Sequence, residues 1–92
     1  GTLGLVFSQE TCANTTEMKL WEFYLNYKKS KEIEEKILQP HFSDQSVETT
    51  NPEFHENKKM LVFEILNRET KEYLGLLEIQ MISEKEFKVQ IV

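Results

Sequence analysis

Two histidines and several carboxylates share one polar stretch of this 92-residue chain. His41 and His55 lie near Asp44, Glu53 and Glu56. Imidazole and carboxylate groups are the ones that ligate zinc or move a proton near neutral pH. Their spacing matches no compact ligand motif, and no cysteine pair stands among them. The single cysteine, Cys12, has no second cysteine for an internal disulfide, which suits a reducing, intracellular setting. A reactive thiolate needs a cation or an imidazole beside it. No sequence neighbour of Cys12 supplies one.

Three further patterns carry chemistry elsewhere. Pro52-Glu53 followed by Glu78-Ile79-Gln80 is similar to the acidic core of metal-dependent nucleases, which hold Mg²⁺ between clustered carboxylates. The lysine expected there is missing and Glu53 falls in a loop, so solvated glutamates explain the pattern more simply. Lys28, Lys29 and Lys31 stand near Trp21, Tyr24 and Tyr27, a basic and aromatic set of the kind that stacks single-stranded nucleic acid. Those aromatics have the spacing of a helix core face, and lysines suit the negative end of a helix dipole. The glycines are only Gly1, Gly4 and Gly75, too few and too scattered for a phosphate-cradling loop. The expectation is therefore no catalytic residue, no cofactor and no metal.

The formal charge of -5 disfavours nucleic-acid backbones as partners of the whole surface. No apolar run approaches membrane-spanning length. The start Gly1-Thr2 suits an excised domain, a processed chain or a tag remnant. Asn14-Thr15-Thr16 also matches the glycosylation sequon.

The elements that must position these groups are legible from periodicity. In 60–66, 73–82 and 87–92 the odd positions are apolar: Leu61, Phe63 and Ile65; Tyr73, Leu77, Ile79 and Met81; Phe87, Val89 and Ile91. Side chains alternate faces along a strand, so these are three strands of an antiparallel meander with one dry side. Leu3–Phe7 suits a fourth, N-terminal strand. Asn14 to Glu17 has the form of a capping box, with Asn14 as N-cap. A helix over 15–28 then presents Leu20, Phe23, Tyr24 and Tyr27 on one face. The phase changes after Lys28, so Ser30 is expected to cap a second helix over 31–39, stopped by Pro40. One continuous helix is the alternative. Residues 41–59 form a long acidic loop, anchored by Phe42 and Phe54, in which 45–50 could add an edge strand.

The fold expected is one α+β domain over 1–92. One N-terminal helix, or two short ones, packs on a three- to four-stranded antiparallel sheet. Its expected core is Leu20, Tyr24, Tyr27, Ile37, Leu61, Phe63, Ile65, Leu77, Ile79, Phe87, Val89 and Ile91.

The order strand, helix, helix, three strands is similar to the N-terminal half of the GNAT acetyltransferase fold. The run from Phe63 to Ile79, with a short acidic turn and Leu74-Gly75 opening the next strand, resembles that family's central hairpin. The resemblance implies part of an acetyl-CoA-dependent enzyme. The Gly-rich turn that holds the cofactor's pyrophosphate in that family would begin at Val92, so this stretch lacks it. A cystatin-like or NTF2-like curled sheet suits the same element order.

With no chemical signature, the functional expectation is a non-catalytic protein-interaction or assembly domain. Two surfaces are candidates. One is a free sheet edge at 87–92, presenting Phe87, Lys88, Val89 and Gln90 to a partner strand or a second copy, unless the strand at Leu3–Phe7 covers it. The other is the acidic loop, with Asp44, Glu48, Glu53 and Glu56 facing a basic partner.

Overall fold

The computed structural model describes residues 4–92, with the side chains of 27–29 left aside. The elements are β1 (Gly4–Ser8), α1 (Thr16–Leu25), α2 (Tyr27–Ile33), a π-helical stretch (Glu34–Leu38) and α3 (Gln39–His41). Five strands follow: β2 (Val47–Thr49), β3 (Glu53–His55), β4 (Met60–Asn67), β5 (Tyr73–Met81) and β6 (Glu86–Ile91). The architecture is α+β, a helical layer on a curled antiparallel half-barrel. The sheet has six strands in the order β1-β6-β5-β4-β2, with β3 also on β4.

The three expected strands of the meander pair in the register that their alternation requires. Leu61 lies beside Ile79 and Ile79 beside Val89. Phe63 lies beside Leu77 and Leu77 beside Ile91. Phe63 and Ile79 are 1% and 0% exposed, so the apolar face is the buried one. A one-residue slip would have turned both to solvent. The sheet exceeds three to four strands because both polar flanks of the meander recruit more chain. β1 pairs with β6, and residues 47–55 run along the outer side of β4 as two short strands. The expected edge strand at 45–50 is thus present as β2. Thr50 bridges the two segments, its N–H donating to the Glu64 carbonyl at 3.0 Å and its Oγ1 accepting from the Glu64 N–H at 3.0 Å.

The curl has local causes. The β4–β5 register shifts between Ile65 and Leu66, and Gly75 opposite Ile65 has φ of +154°. A bulge plus a glycine bends a strand pair and increases its twist.

The helical layer fills the concave face. Leu20 and Phe23 of α1 are fully buried. The Phe23 ring stacks on Phe87 at 4.5 Å and meets the edge of Phe7 at 5.7 Å, joining helix to both β6 and β1. Ile33, Ile37, Leu38 and Phe42 extend the core. Every expected core residue with a described side chain is buried except Tyr24, which is half-buried against Phe63. Tyr27 lies outside the described side chains. Phe23, on the expected apolar face of α1, and Phe42, the expected loop anchor, are buried too, and Phe7, Ile33, Leu38 and Met60 join them.

The helix boundaries differ from expectation at both ends. The N-cap is Thr15, not Asn14: its Oγ1 accepts from the Met18 N–H at 3.1 Å. In the run Asn14-Thr15-Thr16 adjacent residues can each cap, and starting one residue later leaves Glu17 in the first turn with a favourable charge but no box. Thr15→Ala is expected to cost about 1 kcal/mol, and Asn14→Ala almost nothing, in chemical denaturation. The reverse ranking would place the cap at Asn14.

The break between helices falls at Asn26, ahead of Ser30. Ser30 lies inside α2 and its hydroxyl donates to the Tyr24 carbonyl, satisfying an acceptor in the last turn of α1. The second helix, with its π stretch, runs through Pro40 to His41. Proline has no N–H and its ring crowds the turn before it. The wider π-helical stretch sits immediately upstream, where it relieves that crowding.

Candidate functional site

The helical layer does not close the half-barrel completely. A cleft of about 420 Å³ opens between the second helix, β2 and the end of β4. That size lies within the usual range for ligand pockets. Its apolar walls are Tyr24, Ile33, Leu38, Phe42, Val47 and Leu77. Its polar rim includes Ser30, Glu34, Gln45, Glu48 and Arg68.

The strand-side wall is held by identifiable bonds. Asn67 ends β4, and its Oδ1 accepts from the N–H groups of Glu69 and Thr70 at 2.9 Å each, which builds the turn into β5. The same side chain donates through Nδ2 to Gln45 Oε1 at 2.9 Å. Arg68 grips the facing strand twice: its N–H donates to the Ser46 carbonyl at 3.0 Å and Nη2 to the Val47 carbonyl at 2.8 Å. Lys71 pairs with Glu48 at 2.7 Å. The β4–β5 turn therefore clamps the segment 45–48 in place as one rim of the cleft.

The rim carries two carboxylates and one guanidinium. Glu48 is neutralised by Lys71, and part of the Arg68 guanidinium is committed to a carbonyl. Glu34 is exposed on the helix side, and no ion pair joins it to a cation among the described side chains.

The residues expected to bind a partner are placed differently from one another. Phe87, Lys88, Val89 and Gln90 do not form an edge: β6 is paired by β5 on one side and β1 on the other. Phe87 and Val89 are fully buried in the core, and Gln90 donates to Glu78 Oε1 at 2.9 Å on the opposite face. The edge is covered by β1, the alternative arrangement that the sequence allows. Of the acidic set, only Glu48 reaches the cleft. Asp44 is exposed in the turn before β2, Glu56 in the turn before β4, and Glu53 lies 4.0 Å from His55 Nε2.

The other chemical candidates are dispersed. His41 is exposed and packs edge-on against Phe42 at 4.7 Å, while His55 stands on β3. Glu53 and Glu78 share a row of the sheet with Val62 of β4 between them, two strand spacings or about 10 Å apart. Among the described residues no group of three or more His, Cys, Asp or Glu side chains is placed to hold a metal. Cys12 is exposed, and its N–H donates to the Glu22 carboxylate at 3.3 Å. Trp21 and Tyr24 pack on the core, as their spacing indicates, and Lys31 is exposed. The side chains of Lys28 and Lys29 lie outside those described. No described helix is long and apolar enough to cross a membrane.

Sequence reasoning missed Ile33, Glu34, Leu38 and Arg68 as cleft residues. The one available signal was the pair Phe42 and Val47 in the polar segment, two apolar residues that need cover. Comparison with protein-family models, curated proteins and solved structures gave no match.

Proposed function

We propose that this chain is a non-catalytic interaction domain that receives its partner in the cleft between the second helix and β2. The partner segment carries an apolar side chain next to a cationic one. The single observation behind this reading is the cleft itself, about 420 Å³, whose lining is shared between apolar and polar side chains. A buried apolar anchor contributes most of the affinity in such a site, and the polar rim contributes orientation. Two features favour a cation beside the anchor. Glu34 offers an exposed carboxylate at the mouth, and the chain as a whole carries -5. The reading retains part of the acidic segment as the binding element, since Phe42, Gln45, Val47 and Glu48 all line the cleft.

Selection of a random displayed peptide library against the chain tests it. Recovered sequences are expected to pair Leu, Ile or Phe with Lys or Arg, and to bind less tightly as salt rises. Ser46→Trp, at an exposed rim position, is expected to block the cleft without touching the core. Glu34→Lys is expected to weaken cationic peptides about tenfold or more. Acidic consensus peptides, or binding indifferent to Ser46→Trp, would refute the proposal. Calorimetric titration with acetyl-CoA separates it from the acetyltransferase-like alternative, for which saturable heat would speak.

A further inference from the structure

We propose that the outer edge of β1 is a self-association surface, on which β1 of a second copy pairs antiparallel and joins two half-barrels into one continuous sheet. This surface is distinct from the cleft and does not depend on it.

The sheet has two edges, and they are built differently. At one, β2 and β3 are three residues each, interrupted around Pro52, and carry Glu48 and Glu53. Short strands, bends, proline and charge are the usual devices that prevent edge pairing. At the other, β1 reads Gly4-Leu5-Val6-Phe7-Ser8, five residues with no proline and no charge. Val6 is 56% exposed and Leu5 37%.

The backbone polarity follows from register. Gln9 N–H donates to the Lys85 carbonyl at 2.8 Å, which continues the β1–β6 ladder beyond Ser8. Antiparallel pairs alternate between bonded and non-bonded. Leu5 and Phe7 therefore exchange bonds with β6, and the N–H and C=O groups of Gly4, Val6 and Ser8 point outward. Among the described residues no strand meets them.

A second copy fits this edge better than a generic strand. Antiparallel pairing about Val6 sets Val6 opposite Val6 and Gly4 opposite Ser8, and every outward group finds a partner, about six bonds in all. Each chain carries a net charge of -5, but the edge strand itself is uncharged. Lys88 neighbours Val6, so the two-fold sets the two Lys88 backbones in one row, but each side chain leans out of that row. The Lys88 stem lies over Gly4, its Cε 2.9 Å from where a Cβ would stand, while Glu86 is the β6 neighbour of Ser8. Pairing Gly4 of one copy with Ser8 of the other turns the Lys88 side of each toward the Glu86 side of its mate.

Sedimentation equilibrium over a concentration series, with hydrogen exchange at both ends of the series, tests the proposal. Wild type is expected to shift from the mass of one chain to that of two. Amides of Gly4, Val6 and Ser8 gain protection at high concentration, whereas those of Leu5 and Phe7 are protected throughout. Val6→Lys and Val6→Pro are expected to weaken association at least about tenfold. Val6 is exposed and its N–H does not bond β6, so both variants keep the wild-type thermal midpoint when dilute. Exchange on the wild type provides the same test without any substitution. A wild type that stays monomeric, a dimer indifferent to both variants, or a dimer with unprotected Val6 amides overturns the proposal. Peptide binding at the cleft is expected to survive Val6→Lys unchanged.

Discussion

Phe23→Ala is expected to destabilise the chain by about 3–5 kcal/mol, the cost of removing a fully buried aromatic ring from a small core. The ring lies at the junction of three elements. It is 0% exposed, stacks on Phe87 of β6 and meets Phe7 of β1, so it fastens α1 to two strands at once. A domain of this size has only about 5–15 kcal/mol of total stability. The variant is therefore expected to unfold at a much lower denaturant concentration, with an unchanged slope of free energy against denaturant. Met18→Ala on the same helix is the control, because Met18 is 56% exposed and its loss is expected to stay within about 0.5 kcal/mol. If Phe23→Ala behaves like Met18→Ala, α1 is not docked on the sheet as described.

The second large effect belongs to the backbone. Gly75→Ala is expected to cost about 1–3 kcal/mol. Gly75 is buried in β5 with φ of +154°, a conformation that side chains oppose, and a Cβ there would stand 3.2 Å from the Val92 carbonyl oxygen. That oxygen accepts from the Leu76 N–H at 3.2 Å, and the Val92 N–H donates to the Leu76 carbonyl at 2.9 Å. Substitution thus strains the bend and pushes on the last pairing between β5 and the chain after β6. Gly4→Ala is the informative contrast. Its new Cβ would crowd Lys88 Cε at 2.9 Å, the far end of a flexible side chain, and meet Gln90 Cβ and the Val89 carbonyl oxygen at an ordinary 3.5 Å, with no positive φ involved. Equal losses at the two glycines, measured by thermal unfolding, would refute the claim that Gly75 is held by backbone strain.

The meander was legible in the sequence because its information is local. Alternation in 61–65, 77–81 and 87–91 states which face is dry, and a dry face admits one register. Leu20 and Ile37 were readable for the same reason, as members of helical stripes. Thr15 was harder, since Asn14, Thr15 and Thr16 are all acceptable caps and only the chain's path into α1 chooses among them. Leu38 was obscured by the π-helical stretch, whose wider turn buries it beside Ile37.

By itself, then, the sequence determined an α+β chain with a one-sided meander, most of its core and a net charge of -5. Which strands are edges was decided only by tertiary structure. A strand's side-chain pattern is the same whether its outer N–H and C=O groups are paired or not. β6 looked like an edge until Gly4–Ser8, some eighty residues earlier in the chain, lay down beside it. The cleft was decided in the same way. Ile33, Val47, Arg68 and Leu77 belong to four separated segments. Each carries an ordinary reading within its own element. They form one site because β2 pairs with the end of β4, and because the curl of the sheet leaves the second helix unable to cover that end. Backbone hydrogen bonds between distant segments and the curvature of the sheet set those relations, and neither leaves a periodic trace in the order of side chains.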